Sequence, residues 1–237
     1  MWKELGCDYN VVQISPGPLH GRLRVDHQDG ILLVSMQADQ ALLVEGTRHP
    51  RWLPFTIEHS DNYREHRHFG ESLSPHTLAG FNTKMTETLM RTSPGGNCIG
   101  AVLVDRRRVD IWADLMGAHE VSDRMEHNNK AILSPMVHRK LRQLMVLPAW
   151  QGADVPKPFQ ADLLEAQLIE SLSPESSSLV QPVQKTHHSD LVKELVRFSF
   201  QSSTAPISLG LVCQALFTTK TTLTVSCREM FGYGPMA

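Results

Sequence analysis

The most informative stretch of this sequence runs from Ser208 to Pro235: SLGLVCQALFTTKTTLTVSCREMFGYGP. The apolar residues of its first half follow the i, i+3, i+4, i+7 spacing of one helical face: Leu209, Val212, Cys213 and Leu216. Those of its second half share one face of another helix: Leu223, Cys227, Met230 and Phe231. Ser208 is a good N-cap for the first helix, and Gly232 suits the end of the second. Two short helices joined by the turn 217–220 predict a helix-turn-helix.

The residues before this stretch predict a further helix and a linker. An apolar stripe over about Asp190–Phe200 indicates the helix, and Pro206 breaks the chain after it. Upstream, residues 176–188 are rich in Ser, Pro, Gln and His without apolar periodicity, which is typical of a flexible connection. The sequence therefore predicts an N-terminal domain over 1–175, a linker over 176–188 and a C-terminal domain over 189–237.

The N-terminal part is dominated by β-branched and aromatic runs that are separated by turn residues such as Asp29-Gly30. The predicted strands are Asn10–Ile14, Arg22–Val25, Ile31–Met36, Ala41–Val44, Trp52–Ile57, Cys98–Val104 and Val109–Leu115. On this interpretation Arg106–Arg108 is a hairpin turn, and the polar residues 119–127 belong to a solvated loop. We expect an antiparallel barrel or sandwich.

Two amphipathic helices are predicted to follow these strands. Val137, Leu141, Leu144 and Met145 lie on one helical face behind Ser134-Pro135. Phe159, Leu163, Leu164, Leu168 and Leu172 mark the second helix. The predicted fold class is therefore α+β, with a β-rich sensor or dimerisation domain and its two helices preceding a small all-α segment.

Composition excludes some classes of protein. The chain has 237 residues and a net charge of −2, and no stretch reaches the length of a membrane helix. The N-terminus lacks the pattern of a secretory signal, so we expect a cytoplasmic protein. Its four cysteines are scattered, and nothing indicates a cofactor. From Lys185 onward there are five Lys/Arg against three Asp/Glu, so the C-terminal part is weakly basic.

The segment from about Asp190 to Met236 resembles the first helix-turn-helix of AraC/XylS-type transcriptional regulators. The likeness rests on Ser208–Leu216, on Thr219–Leu223 and on the ending CREMFGYGP, Cys227–Pro235. It implies a regulator that binds double-stranded DNA, catalyses no reaction and responds to a small-molecule effector, with a homodimer as a further possibility. Relatives continue into a second helix-turn-helix beyond the position of Pro235, so the resemblance also implies truncation.

Carried over by position, the resemblance implies the residues of the second helix that meet DNA. Thr221, Thr224 and Val225 take the places that face base edges, and Lys220 and Arg228 those that meet phosphates. Cations at the ends of a helix in the groove position it without reading sequence, whereas Thr and Val offer only modest base discrimination. Cys227 replaces the Phe that is usual in the family.

Two alternatives remain open from sequence alone. Truncation leaves room for a protein that binds ligand or forms heterodimers without binding DNA. The order His66, His68, Glu71 is also similar to the metal ligands of a cupin barrel, although the spacing to Glu71 is short and the surroundings are polar. A solvated loop accounts for these three residues more simply, and no metal site is predicted.

Overall fold

The computed structural model describes residues 7–60, 65–93, 95–115, 119–145, 161–180, 187–201 and 208–235. Within these ranges the protein is α+β, with two antiparallel sheets and seven helices, and the β-rich part precedes most of the helices. The predicted fold class is confirmed. None of the described helices is both long and apolar enough to span a membrane.

Twelve strands form the two sheets of the described residues. They are β1 (Asp8–Gln13), β2 (Gly21–Gln28), β3 (Ile31–Ala38), β4 (Leu42–Thr47), β5 (Trp52–Glu58), β6 (Arg67–His68), β7 (Glu71–Ser72), β8 (Thr77–Ala79), β9 (Glu87–Arg91), β10 (Asn97–Asp105), β11 (Lys130–Leu133) and β12 (Ser177–Val180). We call the sheet with the order β1-β4-β9-β6-β7 the outer sheet. The sheet with the order β12-β11-β8-β5-β10-β3-β2 is the central sheet.

The helices form two groups, one on the central sheet and one at the C-terminus. They are α1 (Arg106–Leu115), α2 (His119–His127), α3 (Pro135–Met145), α4 (Ala161–Leu172), α5 (His187–Gln201), α6 (Leu209–Ala215) and α7 (Lys220–Phe231). The first four share the main hydrophobic core with the central sheet, where Phe55 and Leu141 are almost fully buried. More helices therefore cover this sheet than the two that the sequence predicts.

Two segments with mixed patterns were predicted wrongly. Residues 109–115 are not a strand, because they continue α1, whose first turn is Arg106–Arg108. The carboxylate of Asp105 accepts from the backbone N–H of Arg107 at 3.0 Å, which favours a helix start and not a hairpin. Val109 is buried and Trp112 packs on the core at i+3, whereas Ile111 is 54% exposed. Residues 119–127 likewise form α2 and not a loop.

The second amphipathic helix and the linker also differ from expectation in detail. Leu164, Leu168 and Leu172 are buried in α4 as predicted, but Leu163 points to solvent and is 48% exposed. Phe159 lies outside the described residues. Residues 177–180, assigned by composition to the linker, form β12 and pair with β11, because backbone pairing at a sheet edge does not require an apolar repeat.

Alternating side chains give the central sheet two different faces. Leu33, Phe55 and Val102 point into the core beneath the helices, whereas Val34 and Leu103 point the other way, towards the outer sheet. The space between the two sheets is therefore enclosed by side chains of both.

Candidate functional site

The C-terminal helices form a capped helix-turn-helix. Ser208 is the N-cap of α6, and its hydroxyl accepts from the backbone N–H of Leu211 at 3.2 Å. Thr219 caps α7 in the same way, accepting from Thr222 at 3.1 Å. Gly232 ends α7 with a φ of 84°, the left-handed conformation that glycine adopts without strain. The caps predicted at Ser208 and Gly232 are confirmed.

The five residues predicted to meet DNA lie along one side of α7, away from its buried side. Lys220, Thr221, Val225 and Arg228 are exposed, and Thr224 is half-buried. The Thr224 hydroxyl donates to the backbone carbonyl of Lys220 at 2.7 Å, so its remaining capacity is mainly that of an acceptor. The structure thus presents these side chains together on one accessible surface. Their contact with DNA stays a prediction.

The other side of this helical group packs on the outer sheet. Val192 of α5 and Leu223 and Cys227 of α7 are fully buried in one hydrophobic cluster with Leu43 of β4 and Leu89 of β9. Burial raises the pKa of the Cys227 thiol to about 11, so this cysteine is an inert core residue at neutral pH. The helix-turn-helix is therefore docked on the outer sheet through an apolar interface.

Polar contacts fix the orientation of this docked unit. The ammonium of Lys193 in α5, which is 4% exposed, lies 2.6 Å from the carboxylate of Glu87 in β9. The hydroxyl of Tyr233 donates to the backbone carbonyl of Ile14 at 3.1 Å, and the guanidinium of Arg91 lies 6.0 Å from the Tyr233 ring centre. Directional contacts of this kind specify one arrangement of two surfaces that apolar packing alone would leave loosely defined.

The opposite face of the outer sheet lines an interior cavity of about 110 Å³. Because side chains alternate along a strand, Thr88 and Met90 of β9 face this cavity while Glu87 and Leu89 face the helices. Ala101 and Leu103 of β10 line the cavity from the central sheet. A single sheet thus separates the cavity from the helix-turn-helix.

The cavity lining is apolar apart from a few buried polar groups. The Arg48 guanidinium donates to Thr88 Oγ1 at 3.0 Å and to the Gly80 carbonyl at 2.7 Å, and burial lowers its pKa to about 10. No carboxylate among the described residues forms an ion pair with it. His68 is 7% exposed, its Nδ1 has no hydrogen-bond partner in the described structure, and burial lowers its pKa well below the usual value. The lining therefore offers a buried cation and a neutral imidazole, together with the Glu58 carboxylate.

Two of the three residues similar to cupin ligands have other partners in the structure, although His68 and Glu71 lie opposite each other in the β6–β7 pair. His66 Nδ1 lies 2.5 Å from Glu58 Oε2, and Glu71 lies 2.6 Å from the ammonium of Lys130. The described residues contain no group of three His, Cys, Asp or Glu side chains that could hold a metal ion. A solvated loop is nevertheless the wrong description of the histidines, because both are buried. The neighbouring residues 61–64 lie outside the described structure.

Sequence reasoning missed the residues that join the cavity to the helices. Glu87, Leu89 and Arg91 share one face of β9, but that face is covered by the helices and mixes charged with apolar residues. A strand covered on both faces lacks the polar/apolar alternation that marks a half-exposed strand. The β-branched and long apolar residues within 87–91 are the feature of the sequence that could have indicated a strand there, and this indication is weak.

Comparison with known proteins adds a limited finding. No protein-family model matches the chain, and no curated protein sequence matches it either. A solved structure that resembles the chain is described as the crystal structure of the AraC-like transcriptional activator CuxR. The two are 11% identical, the TM-score is 0.47, and the match covers 93% of this chain and 80% of that one. Similarity at this level does not assign the chain to a family.

Proposed function

We propose that this protein is a DNA-binding transcriptional regulator whose α7 enters the major groove. The observation that carries the proposal is the arrangement of α7, whose buried side is docked on the outer sheet while its accessible side carries Lys220, Thr221 and Arg228. A capped second helix with a free polar face is what helix-turn-helix proteins present to base edges and phosphates. No catalysis is involved in this function.

We further propose that a small-molecule effector acts through the interior cavity. The hairpin of β6 and β7 supports this coupling, because His68 lines the cavity while the next residue, Phe69, packs in the cluster beneath the helices. Its neighbour Gly70 approaches α7 so closely that an added Cβ would lie 2.9 Å from Met230 Sδ. A displacement of this hairpin would therefore push directly against α7.

The size of the cavity suggests how binding would change the protein. At about 110 Å³ it is smaller than the roughly 300 Å³ at which ordinary ligand sites begin. An effector of metabolite size therefore fits only if the outer sheet moves away from the central sheet. Such an effector binds the expanded arrangement better than the present one, which is the differential affinity that a ligand-driven switch requires.

DNA binding is tested by retention of a random pool of duplexes on the full chain. The double variant Lys220→Ala/Arg228→Ala removes the two cations of α7, and Arg197→Ala is the control, since it removes an exposed cation of α5 that pairs with Glu194 at 2.8 Å. We expect the wild type and the control to retain and enrich the same sequences, and the double variant to lose retention. Equal retention by all three proteins would favour the alternative, a ligand-binding or heterodimerising protein that does not bind DNA.

The effector proposal is tested with a cavity-filling variant. Ala101→Phe places a ring in the space between the sheets, at an expected cost of about 1–3 kcal/mol in stability. A small-molecule library is then screened by thermal shift against both proteins. Compounds that stabilise the wild type and not the variant, and that change its retention of DNA, would support the proposal. Compounds that stabilise both proteins equally bind elsewhere and would argue against it.

A further inference from the structure

A second concave site lies outside the interior cavity, between α3 and the loop that joins β7 to β8. This cleft has a volume of about 300 Å³, within the range of small-ligand sites. Its polar lining comes mainly from Ser74 and His76 of the loop and from His138, Arg139 and Arg142 of α3. The regulator function proposed above uses none of these side chains.

The two guanidinium groups in the lining of the cleft outnumber its one carboxylate. Neither Arg139 nor Arg142 forms an ion pair with a described carboxylate, and Arg142 donates only to the backbone carbonyl of His59, at 2.7 Å. Glu58 is the acid of the lining, but it already lies 2.5 Å from His66 Nδ1 and accepts from the backbone N–H of Ser60 at 2.8 Å. An incoming anion would therefore meet two guanidinium groups without ion-pair partners and one carboxylate, Glu58, that is engaged by His66 and Ser60.

Two histidines, His76 and His138, complete the wall of the cleft with imidazole groups that can form hydrogen bonds. The ring centres of His76 and His138 are 4.8 Å apart. Burial, followed by the charges of His76 and Arg142, lowers the pKa of His138 to about 4. At neutral pH the His138 imidazole thus carries one N–H that can donate to an oxyanion. The backbone of His76 is held in the left-handed region at a φ of 60°, and its carbonyl accepts from the N–H of Leu133 at 3.0 Å.

We propose that this cleft binds a small molecule through a phosphate group. Arg139 and Arg142 are three residues apart on α3, so their side chains are neighbours on the helix surface and can approach one group from the same side. Guanidinium forks match phosphate oxygens in pairs, and these charge-assisted bonds are among the strongest in proteins. The remaining volume accommodates the rest of a small phosphorylated metabolite.

The cleft and the interior cavity are neighbours but distinct sites. Glu58, Leu73 and Thr77 line both of them and so form the wall between them. A phosphate in the cleft is held by α3, whereas the cavity is enclosed by the two sheets. Filling the cavity by Ala101→Phe should therefore leave phosphate binding in place, which separates a failure of the effector proposal from a failure of this one.

The test is a titration of the full chain with inorganic phosphate at constant ionic strength, followed by NMR of the histidine rings. We expect saturable binding and an upward shift of the His138 pKa, because a bound dianion favours the imidazolium. Arg139→Ala should weaken binding by about tenfold or more, the loss expected for one charge-assisted contact, and Arg139→Ala/Arg142→Ala should abolish it. Arg139 makes no other polar contact with the described residues, so its removal should leave the fold intact.

Lys140→Ala is the matched control, because Lys140 is on the same helix, does not line the cleft and lies 3.9 Å from Glu170. Succinate serves as an oxyanion of the same charge but different geometry. Phosphate binding that survives in the control and in Ala101→Phe, but is lost without the arginines, supports the proposal. It would be overturned by equal binding to all variants, by succinate binding as tightly as phosphate, or by no saturable binding to the wild type at millimolar phosphate.

Discussion

The ion pair between Lys193 and Glu87 links α5 to the outer sheet, and its two side chains are buried to different degrees. The Lys193 side chain is 4% exposed and that of Glu87 is 29% exposed. Removing one partner of a buried pair costs about 3–5 kcal/mol when the other is left without compensation. In Glu87→Leu the buried ammonium keeps Asp190, 3.5 Å away and largely exposed, and the Phe69 ring, whose centre is 5.7 Å away. We therefore expect a loss of about 3 kcal/mol, at the lower end of that range.

Replacing the other partner of the pair, Lys193, should cost less stability. In Lys193→Met the Glu87 carboxylate can recover water, so we expect a loss of about 1–2 kcal/mol, and the double variant should be close to the wild type because an apolar pair of similar size fits the interface. Urea unfolding of the four proteins gives the coupling free energy through a double-mutant cycle. A coupling below about 0.5 kcal/mol, the range of exposed pairs, would refute a docked interface at this position.

Three further predictions concern the apolar interface beneath the helices, the N-cap of α7 and the buried His59. Leu89→Ala leaves a cavity under the helices and should cost about 2–5 kcal/mol in urea unfolding, whereas Val11→Ala on the 40% exposed side chain of β1 should cost less than about 1 kcal/mol. Thr219→Ala removes the N-cap of α7 and should cost about 0.5–2 kcal/mol by the same assay; no loss would mean that the hydroxyl does not cap the helix. Burial lowers the pKa of His59 from 6.5 to about 4, so the unfolded chain binds the proton first and the unfolding free energy should fall as pH drops through that window. In His59→Asn the total loss of unfolding free energy over this pH window should be smaller by on the order of 2–3 kcal/mol. An unchanged loss would contradict the lowered pKa of His59.

The helix-turn-helix was predictable because local rules agree there. Apolar residues at helical spacing, a serine N-cap and a glycine C-cap all indicate the same two helices, and the structure contains them. The strand predicted at 109–115 was wrong for the opposite reason, because the local rules disagree there. The spacing of Val109, Ile111 and Leu115 matches the alternation of a strand. The cap at Asp105 and the packing of Trp112 are what favour a helix.

The docking of the C-terminal helices on the outer sheet was beyond sequence reasoning. It depends on residues more than one hundred positions apart, such as Glu87 and Lys193, whose pairing no local pattern records. The buried histidines were missed for a related reason. His66 lies in a polar stretch, and its burial depends on Glu58, a partner at the end of β5. Contacts of this kind arise from the tertiary fold, so a single sequence specifies them only indirectly.

The most direct test of the regulator proposal is the salt dependence of affinity for a duplex enriched from the random pool. Each phosphate that a cation neutralises contributes about 0.9 to the slope of log affinity against log salt. Removing Lys220 and Arg228 together should therefore reduce the magnitude of the slope by about 1.8, and Arg197→Ala should leave it unchanged. An identical slope for all three proteins would mean that α7 does not lie against the phosphate backbone, and would contradict the proposed function.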